Sequence, residues 1–191
     1  KPHAYFIPYA NDAVALGDNR ALSDRFVSLC GDWDFHYYPS LADVPEFLTD
    51  GFSTVGFDKL TVPMNWQMAL DRGYDVPNYT NVNYPHAKKW PKILDRGTEK
   101  PDYNPVSSYR TTFTVPADWK GRDVILRFDG VYSAYYVWVN GKKVGYAEDS
   151  KLPSEFDITD YVNAGGSNLL AVEVYRWCDG SYLEDQDMFR Y

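Results

Sequence analysis

Large apolar side chains recur at every second position wherever this chain has a clear pattern. A period of two is that of a strand with one face buried. In residues 31–37, Trp33, Phe35 and Tyr37 share one face, and from residue 107 onward Tyr109, Thr111, Phe113 and Val115 alternate with polar positions up to Pro116. Further strands are expected over 59–62, 124–128, 135–139, 142–146 and 169–174, the first of them stopped by Pro63, which lacks a ladder donor. Asn140-Gly141 lies between two of these runs and predicts a hairpin turn, since both turn residues must accept positive φ. Short helical turns are expected over 45–48 and 157–162, the latter capped by Asp157 and closed by Gly165-Gly166. No helical period is sustained anywhere, and short strands separated by turns predict an all-β sandwich.

Three stretches lack such a pattern. Residues 1–30 are mixed and partly polar, and read as an arm over the surface of a domain spanning 31–191. Residues 65–100 are rich in Pro, Gly, Asn and Asp, and a connection of that length inside a compact domain is usually functional. Within it, residues 79–84 are a polar-aromatic segment stiffened by Pro77 and Pro85. The third stretch, residues 176–191, places Asp179, Glu184, Asp185 and Asp187 among Trp177, Tyr182, Phe189 and Tyr191. Carboxylates beside flat aromatic faces suit a sugar, whose hydroxyls need acceptors and whose C–H faces pack on rings. They also suit a hard cation, which takes oxygen ligands. A solvated acidic loop is the alternative.

Composition narrows the function. Of the 191 residues 45% are hydrophobic and 17% aromatic, enough for one domain with a substantial core. A net charge of -8 leaves no basic stripe for a phosphate backbone, which excludes nucleic acid as a partner. No apolar run approaches the roughly 20 residues that span a bilayer, so no membrane segment is expected. Cys30 and Cys178 form neither a disulfide framework nor a metal-ligand spacing and are expected as free thiols, a single bridge between them being the alternative. Trp138 and Trp177, in or beside strands, are expected in the core, with Trp66 left open; His36 is expected to be structural. The chain starts at Lys1 without Met and stops at Tyr191, and reads as a piece of a longer protein whose compartment is not legible.

Three separated motifs say more. Tyr79-Thr80-Asn81-Val82-Asn83-Tyr84-Pro85, Asp149-Ser150-Lys151-Leu152-Pro153-Ser154-Glu155-Phe156-Asp157 and the terminal DGSYLEDQDMFR occur in that order. Together they closely resemble the amino-terminal sugar-binding domain of β-galactosidases in glycoside hydrolase family 2, over nearly the whole chain. The resemblance implies a jelly-roll β-sandwich whose last strand lies beyond Tyr191. It implies an enzyme that hydrolyses terminal non-reducing β-D-galactose residues with retention, its acid/base and nucleophile on a separate (β/α)-barrel domain of the same chain. No pair of carboxylates suited to those two roles is found in these 191 residues, so no catalytic residue is assigned and the fragment alone is expected to be inert. By resemblance Asn81, with Val82 beside it, reaches into the galactose subsite; an amide suits this because it offers donor and acceptor at one tip. Asp187 matches an aspartate that binds a sodium ion and the O6 side of the sugar, and Glu148 and Asp179 match a secondary magnesium site. The Na⁺ and Mg²⁺ belong to the full enzyme, since other ligands come from the barrel and from an upstream arm. Arg176 and Arg190 are expected to pair with the acids of the terminal run. The implied partners are the β-galactoside, the remaining domains of the chain and, for the full enzyme, further copies of itself. A free-standing carbohydrate-binding module and a purely structural or interface domain of a related family 2 glycosidase are the rival readings.

Overall fold

The computed structural model describes residues 6–75, 77, 104–178, 180 and 181. The chain divides into two compact units, Lys1–Cys30 and Gly31–Tyr191. In the first, helix α1 (Asp12–Leu16) is capped by Asn11, whose Oδ1 accepts from the Val14 amide at 3.1 Å. Ser23 closes this unit on itself: its hydroxyl donates to the Pro8 carbonyl at 2.6 Å and accepts from the Arg25 amide at 3.0 Å.

The second unit holds β1 (Gly31–Tyr38), β2 (Asp58–Val62), β3 (Val106–Thr114), β4 (Ile125–Phe128), β5 (Ala134–Val139), β6 (Lys142–Glu148), β7 (Ser154–Asp157) and β8 (Ser167–Tyr175). Six strands form one antiparallel sheet in the order β2-β1-β3-β8-β5-β6, and β4 pairs with β7 in a second. This is the all-β sandwich that the alternating pattern predicts and the jelly roll that the resemblance implies.

The register puts Leu60, Trp33, Phe35, Tyr109, Leu170, Val172, Tyr135 and Val137 on one face of the large sheet. Phe35, Val137 and Leu170 are fully enclosed. Each such side chain contributes about 1.5–3 kcal/mol on leaving water, which makes this face the main stabilising surface. The small sheet packs here: Phe128 and Phe156 meet Tyr135 edge-on, with centroids 5.0 and 6.0 Å away. Gly145 of β6 admits that contact, because a Cβ there would lie 2.8 Å from the Phe156 ring.

The opposite face is covered as well, by an aperiodic segment between β1 and β2. Phe47 is buried and lies edge-on to Trp138 at 6.3 Å. Phe57 stacks on His36 at 5.1 Å, so His36 sits between aromatic rings as a structural residue. Arg110, on the polar side of β3, is 8% exposed; its Nη1 donates to the Phe52 carbonyl and its Nη2 to the Thr49 carbonyl, both at 2.7 Å. The helical turn expected over 45–48 is absent. Pro45 offers no amide for one, and Phe47 is drawn onto the sheet instead; the 3₁₀ turn lies earlier, at Leu41–Asp43, capped by Ser40. Trp138 belongs to this outer face and is half-buried rather than central, whereas Trp66 and Trp177 are both buried.

The hairpin forms as the sequence predicts, with φ of 51° at Asn140 and 76° at Gly141. Buried Asn168, at the start of β8, locks it in place. Its Oδ1 accepts from Asn140 Nδ2 at 2.9 Å and from the Asn163 amide at 2.7 Å, while its Nδ2 donates to the carbonyls of Asn163 and Gly166 at 3.2 and 3.1 Å. The helix expected over 157–162 shortens to a 3₁₀ turn, Thr159–Tyr161. Asp157 still accepts from the Thr159 amide and hydroxyl, at 3.0 and 2.6 Å.

Candidate functional site

Register decides where the loops open. Val106, the first residue of β3, pairs with Tyr175, the last of β8; Tyr175 also pairs with Ala134, and Ala134 with Glu148. The segment leading into β3, the run leaving β8, the connection before β5 and the one after β6 therefore share one end of the sheet. The first two carry the aromatic and oxygen-rich motifs of the sequence.

Their roots are bound together. Asn104 and Trp177 exchange two hydrogen bonds, the Asn104 amide donating to the Trp177 carbonyl and the Trp177 N–H to Asn104 Oδ1, both at 3.0 Å. The Arg176 amide donates to the Pro105 carbonyl at 3.0 Å. On the other side of residues 76–103, Asp75 forms a buried ion pair with the Arg176 guanidinium, each side chain 3% exposed. With its oxygen turned toward them, the Gln67 amide accepts from Arg176 Nη1 and from Trp66 Nε1, both at 3.1 Å. The guanidinium also lies 4.7 Å above the Trp177 ring. Burial pushes the Arg176 pKa down to about 10, partly offset by Tyr37, so the group remains a cation at neutral pH.

A second set of contacts holds the start of the terminal run. Buried Ser133 donates from its amide to the Tyr175 carbonyl at 3.1 Å and from its hydroxyl to the Arg176 carbonyl at 2.9 Å. Ser181, also buried, hydrogen-bonds the Ser133 hydroxyl at 3.3 Å and accepts from the Cys178 amide at 3.1 Å. Cys30 and Cys178 are both free thiols. Burial raises the Cys178 pKa, with the Glu148 carboxylate acting in the same direction and Ser133 and Ser181 against it.

Of the residues singled out in the sequence, Asn81, Val82, Asp179 and Asp187 lie outside the described residues, as does Arg190. Glu148 is described. It ends β6, exposed, and its Oε2 accepts from the Tyr146 hydroxyl at 3.2 Å. The same oxygen stands 3.8 Å from where a Cβ on Gly180 would be, so it faces the first turn of the terminal run. Among the described residues no three His, Cys, Asp or Glu side chains gather as metal ligands. Glu148 is thus a single oxygen donor, which fits a share in a hard-cation site and is insufficient to form one.

The terminal-run acids with which Arg176 is expected to pair lie outside the described residues. Among the described residues it is Asp75 that pairs with its guanidinium, beside the Gln67 amide. Sequence reading missed Asp75, Asn104, Ser133 and Ser181. The available signal was Arg176, two positions after the apolar strand 169–174, because a cation drawn in at the end of a buried strand needs a buried partner.

Comparison with known proteins gives the family. The family described as "Glycosyl hydrolases family 2, sugar binding domain" matches residues 26–191. The chain is 46% identical over its whole length to a β-galactosidase of Priestia megaterium, and 43% identical over 98% of its length to one of Actinobacillus pleuropneumoniae. It spans only 18% and 17% of those two proteins. Among solved structures, a glycosyl hydrolase family 2 member from Bacteroides cellulosilyticus superposes with a TM-score of 0.56 at 27% identity, over 81% of this chain and 18% of that one. A β-glucuronidase from Ruminococcus gnavus gives 0.55 at 22% identity, over 78% of this chain and 21% of the other, a likeness of fold alone.

Proposed function

We propose, for a chain that belongs to the sugar-binding domains of glycosyl hydrolase family 2, that it forms one wall of the galactose pocket of a β-galactosidase. The whole enzyme hydrolyses terminal β-D-galactosides with retention. The reacting carboxylates stand on another domain, and this one supplies Asn81, with Val82 beside it, and Asp187. The Asn81 amide reads the sugar's hydroxyls, and Asp187 would supply a carboxylate oxygen to a sodium ion on the O6 side. Glu148 and Asp179 share a magnesium ion with ligands from elsewhere in the chain. When bound, these cations supply fixed positive charge. The chain's own residues contribute the oxygen donors and hold them in place.

The observation that carries the reading is the pairing of Val106 with Tyr175. It makes the segment bearing Asn81 and the run bearing Asp187 leave neighbouring strands at the same end of one sheet, as two loops serving one hexose must.

The test is kinetic, on the full-length parent enzyme with o-nitrophenyl β-D-galactoside. Asn81→Ala and Asp187→Asn are each expected to lower kcat/KM by about 10- to 100-fold, the range set by losing a hydrogen bond to a charged or polarised partner. Unchanged constants in both variants would favour a purely structural domain. Saturable lactose binding by the 191-residue chain alone would favour a free-standing carbohydrate-binding module.

A further inference from the structure

We propose that Arg176 and Trp177 act as a double clamp that sets the two site loops relative to each other, with Asp75 and Asn104 as its two jaws. They are positioning residues, and the proposal rests on the reading that both loops serve one galactose subsite.

Three observations carry it. First, the jaws lie on either side of residues 76–103, the segment that contains Asn81: Asp75 precedes it and Asn104 follows it. Second, both jaws grip consecutive residues at the root of the run that contains Asp187. Asp75 holds the Arg176 guanidinium, and Asn104 holds the Trp177 backbone through reciprocal hydrogen bonds of 3.0 Å. Third, the grip is dry, since Arg176 and Trp177 are 3% and 5% exposed.

A buried ion pair is a costly way to gain stability, because desolvation cancels much of the attraction, and an apolar pair of similar volume often does as well. What the ion pair adds is direction. A guanidinium fixed by Asp75, Gln67 and the Trp177 ring has one orientation, and it transfers that orientation to both loop roots. Asn104 adds the same constraint from the other side. With the pair removed, the two roots lose the side-chain link through Asp75 and keep the backbone contacts at Pro105 and Ser133. The relation between the roots is then less narrowly set, and binding carries the cost of selecting the one that suits a single sugar.

The experiment uses the full-length parent enzyme and reads KM, kcat, the inhibition constant for free galactose, and Tm. The double variant Arg176→Met/Asp75→Leu removes the charge pair while filling its volume. It is expected to unfold within a few degrees of the wild type, yet to raise both KM and the galactose inhibition constant about tenfold, with kcat changing less. Arg176→Lys/Asp75→Glu, which keeps the charges and redistributes the reach, is expected to recover most of that loss. Asn104→Ala probes the second jaw independently of the buried charges, with a rise of about threefold in both constants. Should the apolar double variant and Asn104→Ala both stay within a factor of two of the wild type, the clamp is overturned. The same outcome for Asn104→Ala decides against it if the apolar variant does not fold. Loss of affinity in Asn81→Ala with intact clamp variants refutes this inference alone. Unchanged kinetics in Asn81→Ala and Asp187→Asn refutes the subsite reading on which it stands.

Discussion

Asn168 is the polar residue whose removal the structure predicts most directly. It is 1% exposed, and both donors and both acceptors of its amide are occupied, by Asn140, Asn163 and Gly166. Asn168→Ala deletes four hydrogen bonds worth about 0.5–1.5 kcal/mol each. Asn163 is itself exposed, so water can replace part of what it loses. A net destabilisation of about 2–4 kcal/mol follows, which for a domain of this size lowers Tm by about 5–15 °C. Thermal or urea unfolding of the 191-residue chain, followed by tryptophan fluorescence, measures it. Asn168→Asp sharpens the test. It keeps the acceptor oxygen but turns a second oxygen toward two carbonyls, at the positions where Nδ2 now sits 3.1–3.2 Å from them. Burial and those carbonyls raise the new carboxyl's pKa above its unfolded value, so the protonated form is the one that fits. The variant should therefore approach wild-type stability below the unfolded carboxylate range and lose it as pH rises through the raised value. An Asn168→Ala loss below about 1 kcal/mol, or an Asp variant as stable at pH 8 as at pH 4, would refute the account.

Other outcomes follow from the same contacts. Gly145→Ala places a methyl 2.8–2.9 Å from Phe156 and should cost about 1–3 kcal/mol in urea unfolding; Phe156→Leu in the same chain should restore part of it. Arg110→Met strands the carbonyls of Thr49 and Phe52, with a loss of about 3 kcal/mol expected and faster proteolytic cleavage between residues 45 and 57, visible by mass mapping. Cys30 is exposed while Cys178 is half-buried with its pKa raised; titration with a disulfide reagent near pH 7.5 should therefore show one fast thiol and one slow one, and the slow one should accelerate on unfolding.

The central strands and the 140–141 hairpin were legible because their signals are local: a period of two, and a dipeptide suited to positive φ. Arg110 was not, since it lies on what reads as the solvent side of β3. It is buried only because the segment from 45 to 57 folds back over that face, and an aperiodic segment gives no sign of where it will lie. Trp138 was misplaced for the same reason, as its neighbour Phe47 belongs to that cover. At the candidate site the motif wording pointed to Asn81, Asp187 and Glu148, and register brings the strands from which their loops leave together. The Asp75–Arg176 pair joins residues a hundred positions apart, and no local pattern announces a tertiary ion pair of that kind.

The pairing of β3 with β8 also bears on the order in which the molecule folds. Four strands, β4 to β7, lie between these two neighbours in the chain, so their ladder is a non-local contact with a large closure entropy. A newly made chain can form the β5–β6 hairpin early, but the end of the sheet where Val106 meets Tyr175 takes shape only once β8 has returned to β3. Docking of β8 on β3 is therefore a late event in folding, and hydrogen-exchange protection of the β3–β8 amides during refolding should lag behind recovery of the hairpin's aromatic signal.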